Sequence, residues 1–448
     1  MLVAYAALLV AATYWQVVRA TDLADDVDTN ARRMEAEAQR IKRGRILDRN
    51  GVVLAETVQG PDGGFIRRYS HPGAAHVVGY HSNRHGSSGA EEAGNRALSG
   101  AGETTSLRNF FEDLLRVRDE GDDVRLTLDS RLQQAAETAM GDGPGALVAL
   151  DPRNGDILAM VSTPSFDPNV GIEEQFDSLR NREDSPLLNR ATQGLYTPGS
   201  TFKTVTLAAA LQAGLVDART AATCPERIEV LGFPVTSRNE PPGKRTANVA
   251  DAFAYSCNTY FAQLGVQVGE ERLTEMARAF GLLEPVPSEL PALPGRLSTT
   301  PAYLGSDQGL AVTAFGQGEL QLTPLHLVLV AAAVANGGVA PRPRLFADTG
   351  PATWRRAMSP EAARQLRSIM EYSVQAGWAS TAAVPGIRVA GKTGSAEVEP
   401  GASSHAVFIA FAPAEAPRIA IAVLKERAGA GSREAGPVVR AVLEAALR

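Results

Sequence analysis

The chain has 448 residues, of which 44% are hydrophobic and 21% charged, and it carries a formal net charge of −6. That is the composition of an ordinary globular protein, long enough for two or three domains, and the acidic balance argues against nucleic acid as a main partner. The sequence contains no basic stripe, zinc-ligand spacing or phosphate-binding loop.

Met1 to Val18 carry no charge, with Tyr14 and Trp15 suited to an interfacial belt and Arg19 where a span would end. The stretch reads as an uncleaved transmembrane signal-anchor over 1–18. It is slightly shorter than the ~20 residues of a bilayer span and lacks the basic start of a signal sequence. A start assigned downstream of the true one accounts for that lack; the alternative is a buried helix of a soluble domain. Asp25 to Ile41 is polar and helix-prone, a stalk. A smaller, β-rich N-terminal pedestal domain is expected over 25–120. Within it, Arg43-Gly44-Arg45-Ile46-Leu47-Asp48-Arg49-Asn50-Gly51 places an Asn-Gly turn between two β-type runs. Tyr69 to Gly100 looks irregular and holds His71, His76, His81 and His85. With no cysteine or tightly spaced carboxylate beside them, these read as a polar surface segment, and no metal is expected.

From residue 121 onward the pattern changes. Val124 to Asp129 reads as a strand, with Ser130 as cap of a helix running to Met140. Gly145 to Leu150 and Asp156 to Val161 form a hairpin across Asp151-Pro152-Arg153-Asn154-Gly155. Ala406 to Ala412 and Arg418 to Leu424 are two more apolar strands, and an amphipathic helix closes the chain from Glu434. Strands at both ends with helices between predict an α/β domain of the α+β kind over 121–448, an antiparallel sheet covered by helices. Cys224 and Cys257 are the only cysteines. A disulfide and a small buried side chain are both compatible with Cys257.

Three motifs carry the chemistry: Ser200-Thr201-Phe202-Lys203, Ser256-Cys257-Asn258 and Lys392-Thr393-Gly394. The chain has five lysines, and two of them fall in these motifs. A chance Ser-x-x-Lys is expected roughly 0.3 times and a chance Lys-Thr-Gly roughly 0.03 times, so the conjunction is specific although Ser-x-Asn alone is not. Ser200 opens a helix and Lys203 follows one turn later on the same face. The helix dipole favours negative charge at that end. Lys203 can take the serine proton only if burial or a neighbouring cation lowers its pKa, and Lys392 supplies such a cation. Ser256 would relay a proton to the leaving amine, and Asn258 would hold Lys203 and the substrate backbone. Thr393, Gly394 and Ser395 lie on a glycine-flanked edge strand on which a peptide can add as a further strand and place its carboxylate. The N–H groups of Ser200 and Ser395 would form an oxyanion hole.

These motifs resemble those of class B penicillin-binding proteins, and the resemblance extends along nearly the whole chain. Arg43 to Gly51 is similar to the family's opening box and Glu91 to Gly100 to its later pedestal box. Asn189-Arg190-Ala191 through Pro198-Gly199-Ser200 resembles the approach to the nucleophile. Gly316-Gln317-Gly318, Leu322-Thr323-Pro324-Leu325 and Ala335-Asn336-Gly337-Gly338 resemble the stretch between the second and third motifs. The short pedestal and lone anchor look most like the compact penicillin-binding protein A type. The segment before residue 121 is too short for the glycosyltransferase of class A relatives.

The resemblance implies DD-transpeptidation of peptidoglycan stem peptides through a Ser200 acyl-enzyme, inhibition by β-lactams and no cofactor. It also implies a single-pass membrane protein with its catalytic domain outside the cell membrane. Partners would be a membrane glycosyltransferase and division or elongation proteins. Two departures stand out: Ser395 where the family usually has threonine, and Ala406-Val407-Phe408-Ile409 where tryptophan is frequent. Competing readings are a DD-carboxypeptidase or β-lactamase, which give the acyl group to water, and a non-enzymatic scaffold. No Glu-x-x-Leu-Asn loop follows the nucleophile to activate such a water.

Overall fold

The computed structural model describes residues 42–448 apart from 62, 101–119, 238–239, 242 and 400. The expected signal-anchor and stalk lie outside these residues. Among the described residues, no helix is long and apolar enough to cross a membrane.

The N-terminal part is built on a four-stranded sheet in the order β3-β2-β1-β4, with β1 Ile46–Leu47, β2 Val53–Gln59, β3 Phe65–Tyr69 and β4 Val124–Arg125. The turn between β1 and β2 forms as its sequence predicts. Gly51 takes φ 86°, and the Asp48 carboxylate accepts from the backbone N–H groups of Asn50 (2.7 Å) and Val52 (2.8 Å). The stretch from 69 to 100 is more regular than expected. It contains short helices at Ala75–Val78, Gly89–Ala93 and Asn95–Leu98 and a small hairpin, His81–Ser82 with Gly86–Ser87. Nor is it all surface. His76 is buried, its ring bonded to Pro186 O (2.9 Å), and burial pushes its pKa down to about 4. The other three histidines part ways, His71 to Glu137, His81 to Ser87 and His85 to Glu173 O. No group of side chains fit to hold a metal ion is found among the described residues.

The strand expected over 124–129 pairs in the sheet only at Val124 and Arg125. Beyond them the extended chain bonds both domains: Leu126 N–H donates to Leu47 O and Leu128 O accepts from Arg49 N–H on the pedestal side, while Thr127 N–H donates to Leu345 O and Asp129 N–H to Leu158 O on the catalytic side. The cap of α1 (Ser130–Met140) is Asp129, not Ser130. The Asp129 carboxylate accepts from Arg131 N and Leu132 N. Ser130 is already helical, and its hydroxyl donates to Asp48 (2.8 Å), tying the helix to the pedestal turn.

The catalytic domain centres on a five-stranded antiparallel sheet. The hairpin β5 (Gly145–Leu150) and β6 (Ile157–Thr163) comes first in the chain. The helices α2 (Ile172–Arg180), α3 (Lys203–Gln212), α4 (Val249–Ala254), α5 (Asn258–Ala279) and α6 (Pro324–Ala335) follow. Then come β7 (Ala390–Ala396), β8 (His405–Ala412), β9 (Ile419–Lys425) and the closing helix α7 (Gly436–Leu447). The strand order is β7-β8-β9-β5-β6, every pair antiparallel. β5, β8 and β9 are apolar without alternation because both faces are covered. Val148, Ala422 and Ile409 share one core with α6, while Leu147, Ile421 and Phe408 share another with α1 and α7. This is the helix-covered antiparallel sheet that the chain pattern predicts. β7 is left at the edge, on the side that carries the third motif.

Candidate active site

Residues 196–202 deliver Ser200. Gly199 has φ 56°, and a 3₁₀ turn over Gly199–Phe202 runs directly into α3. Ser200 therefore stands in the first helical turn, half-buried, with Lys203 after it. The approach is anchored by Glu426, whose carboxylate accepts from Tyr196 Oη (2.7 Å) and from buried Arg190 (2.8 Å). The turn is pressed between two segments that come too close for side chains. A Cβ on Gly316 would lie 1.8 Å from Gly199 O, and one on Gly394 would lie 2.8 Å from Pro198 O.

Lys203 and Lys392 are both fully buried and converge on one hydroxyl. Lys203 Nζ donates to Ser256 O (2.7 Å) and Asn258 Oδ1 (2.7 Å), and lies 3.2 Å from Ser256 Oγ. Lys392 Nζ donates to the same Ser256 Oγ (2.9 Å) and to Thr393 O (3.0 Å). Each Nζ also lies 5.5 Å from the centre of a phenylalanine ring, Lys203 over Phe261 and Lys392 over Phe253.

Neither amine is an ordinary lysine. Burial first, and then the charge of Lys392, hold Lys203 well below its usual pKa. Burial alone pushes Lys392 down to about 7. An amine kept neutral can take a proton from a serine, which is what the first motif requires. Among the described residues, Ser200 Oγ makes no hydrogen bond to this network. In a free enzyme such contacts commonly tighten only when substrate enters.

Ser256 sits between α4 and α5 at φ 60°, a left-handed conformation that a residue with a side chain adopts at a cost of about 1 kcal/mol. Asn258 is the first residue of α5 rather than part of the loop. Its N–H donates to Ser237 Oγ (3.1 Å) and its Nδ2 to Thr236 O (3.3 Å), which turns Oδ1 toward Lys203. Cys257, between the two motif residues, is joined to Cys224 in a disulfide, which closes the question left open above.

On β7, Thr393 is buried and Ser395 exposed. Ser395 Oγ accepts from Gly431 N (3.2 Å), and Ser395 O accepts from Gln317 Nε2 (3.4 Å). Thr236, Ser237 and the two phenylalanines have no signal in the sequence that ties them to the site, because only the tertiary fold brings them there, whereas Gln317 lies in the Gly316-Gln317-Gly318 stretch already singled out by resemblance.

Residues 145–444 match the penicillin binding protein transpeptidase domain, and residues 43–124 match the penicillin binding protein A dimerisation domain. The chain belongs to the penicillin-binding protein family. Relatives include the peptidoglycan D,D-transpeptidase PbpA of Mycolicibacterium smegmatis, 39% identical over 98% of this chain and 96% of the relative. The Mycobacterium tuberculosis PbpA is 38% identical over the same shares. Among solved structures, penicillin-binding protein A from M. tuberculosis as a ceftriaxone acyl-enzyme complex superposes with a TM-score of 0.84. It is 35% identical, over 93% of this chain and 100% of that one. The penicillin G acyl-enzyme of the same protein gives 0.81 at 36% identity, over 91% of this chain and 100% of that one. The penicillin-binding protein described here thus matches these relatives in both its pedestal and its catalytic domain.

Proposed function

We propose that the protein is a peptidoglycan D,D-transpeptidase, also acylated by β-lactams, that works through a Ser200 acyl-enzyme. The observation that carries this reading is the convergence of two buried lysines on Ser256, beside a serine at the start of a helix. Lys203, neutral in the free enzyme, takes the Ser200 proton as Oγ attacks the carbonyl of the penultimate D-Ala. The N–H groups of Ser200 and Ser395 hold the oxyanion. As the tetrahedral intermediate collapses, Ser256 passes a proton to the leaving D-Ala amine and is reprotonated through the lysines. Asn258 keeps Lys203 in place, and Lys392, Thr393, Gly394 and Ser395 bind the donor peptide and its carboxylate. A second stem's amine then attacks the ester, frees Ser200 and forms the cross-link.

The finer partners belong to the same proposal. The uncharged stretch from Met1 to Val18 anchors the chain in the cell membrane with the catalytic domain outside. The pedestal, over 25–120, meets division or elongation proteins, and a membrane glycosyltransferase supplies the strands that the domain over 121–448 cross-links. The test is incubation with a stem pentapeptide donor and an amine acceptor, read by mass spectrometry. Equimolar D-Ala and cross-linked product, both lost in Ser200→Ala, are expected. Free tetrapeptide without cross-link would make the enzyme a carboxypeptidase instead.

A further inference from the structure

The carbonyl oxygen of Ser395 is engaged by a side chain, accepting from Gln317 Nε2 at 3.4 Å in a contact open to solvent. β7 pairs with β8 alone, and Gln317 belongs to neither strand, so this carbonyl faces off the free edge of the sheet. Gly199 lies between the two partners. A Cβ on Gly316 would meet Gly199 O at 1.8 Å, and a Cβ on Gly199 would meet Ser395 O at 2.9 Å. The contact therefore borders the turn that carries Ser200.

The free edge of β7 is where a donor peptide adds as a further strand. In an antiparallel ladder, the two residues of a hydrogen-bonded pair exchange both of their bonds. A donor residue whose carbonyl oxygen takes the Ser395 N–H, as the oxyanion does, brings its own N–H to Ser395 O. Gln317 Nε2 already stands at that acceptor. Its bond is longer than the usual ~2.7–3.2 Å, so a well-placed peptide N–H can replace it. The backbone of Gln317 has little room to follow. Its N–H donates to Val312 O (3.1 Å). The glycines on either side approach their neighbours too closely for a side chain, Gly316 at Gly199 O and Gly318 at the Tyr303 hydroxyl, which a Cβ would meet at 2.5 Å. Only the half-buried side chain of Gln317 can turn aside.

We propose that Gln317 is a specificity-determining residue, a place-holder on β7 that a donor must displace before its own N–H reaches Ser395 O. The proposal rests on the Ser200 acyl-transfer reading with Ser395 N–H in the oxyanion hole. Gln317 thereby lowers the affinity for acyl donors that carry an N–H on the carbon next to the attacked carbonyl, as D-Ala does. Donors without that N–H do not compete with it.

Stopped-flow acylation of the full chain separates the affinity of the first complex from the limiting acylation rate. The probes are benzylpenicillin, with an acylamino N–H at that position, and imipenem, with a hydroxyethyl group there instead. Gln317→Met keeps the length of the side chain and removes its donor. The benzylpenicillin dissociation constant is expected to fall about three- to tenfold, the worth of one neutral hydrogen bond, with its limiting rate and both imipenem constants unchanged. A merely structural role would shift the two drugs alike. Gln317→Ala should repeat the result, and it decides alone if Gln317→Met fails to fold. An unchanged or weakened benzylpenicillin affinity, or equal shifts for the two drugs, overturns the proposal. A wild type that neither drug acylates overturns the Ser200 reading and the proposal with it.

Discussion

Lys203 and Lys392 have no access to water, and the ammonium form of each must do without the hydration that a surface lysine keeps. Two consequences of this can be measured. Lys392 adds its charge to the burial that lowers Lys203, so removing it in Lys392→Met should raise the Lys203 pKa. The acid limb of the acylation rate against pH then moves to higher pH. Stability gives the second. Folded Lys392 titrates near 7 against an ordinary 10.5, so between those values the unfolded chain holds a proton that the folded one does not. Folding there releases a proton, and this lysine's contribution makes stability rise with pH from about 7 to about 10.5. Urea midpoints at pH 7 and 9 should therefore differ more in the wild type than in Lys392→Met.

Elements are joined here by small, exact contacts, and two of them yield predictions. Asp129 caps α1 through two backbone N–H groups, so Asp129→Ala should cost about 1 kcal/mol in denaturant unfolding. Ser130→Ala leaves that cap intact and loses only the bond to Asp48. At the active site, Gly316 has φ 89° and faces Gly199 O at a distance that admits no Cβ. Gly316→Ala must displace the turn that carries Ser200. A shift of about 1 Å in a reacting group lowers rates by around a hundredfold, and penicillin acylation should fall by at least that much. Stopped-flow acylation kinetics check it.

Across the whole molecule, the pedestal depends on a buried charge cluster. Glu91, wholly inaccessible, bonds Arg43 (2.7 Å) and Arg67 (2.6 Å), joining the opening box to the later one. Glu91→Ala leaves two guanidinium groups without their carboxylate and should destabilise the pedestal by about 3–5 kcal/mol, seen in denaturant melts. That cluster shows where reading a sequence stops. Ser200, Lys203 and Lys392 were legible because their motifs use the scarce lysines, and Ser256 and Asn258 because their common motif falls in order between those two. The sheet was legible because β5, β8 and β9 are uninterrupted apolar runs and its edge strand β7 carries the third motif. The pairing of Arg43 and Arg67 with Glu91 was not, since the partners are far apart in the chain and each alone looks like a surface charge. The four- and five-residue helices between 69 and 100 are too short to show a helical period. Asp129 and Ser130 are both good capping residues, and the fold gives the cap to Asp129, whose carboxylate accepts from Arg131 N and Leu132 N, while the Ser130 hydroxyl is bonded to Asp48. The cysteine pairing likewise waited on the fold, which brings residue 224 beside the second motif.

The central claim is that Ser200 is the nucleophile of an acyl transfer. Intact-mass spectrometry of the full chain after incubation with benzylpenicillin, beside Ser200→Ala, tests it most directly. One persistent adduct of the drug's mass on the wild type, and none on the variant, is the predicted result. An unmodified wild type, or the same adduct on Ser200→Ala, would contradict it.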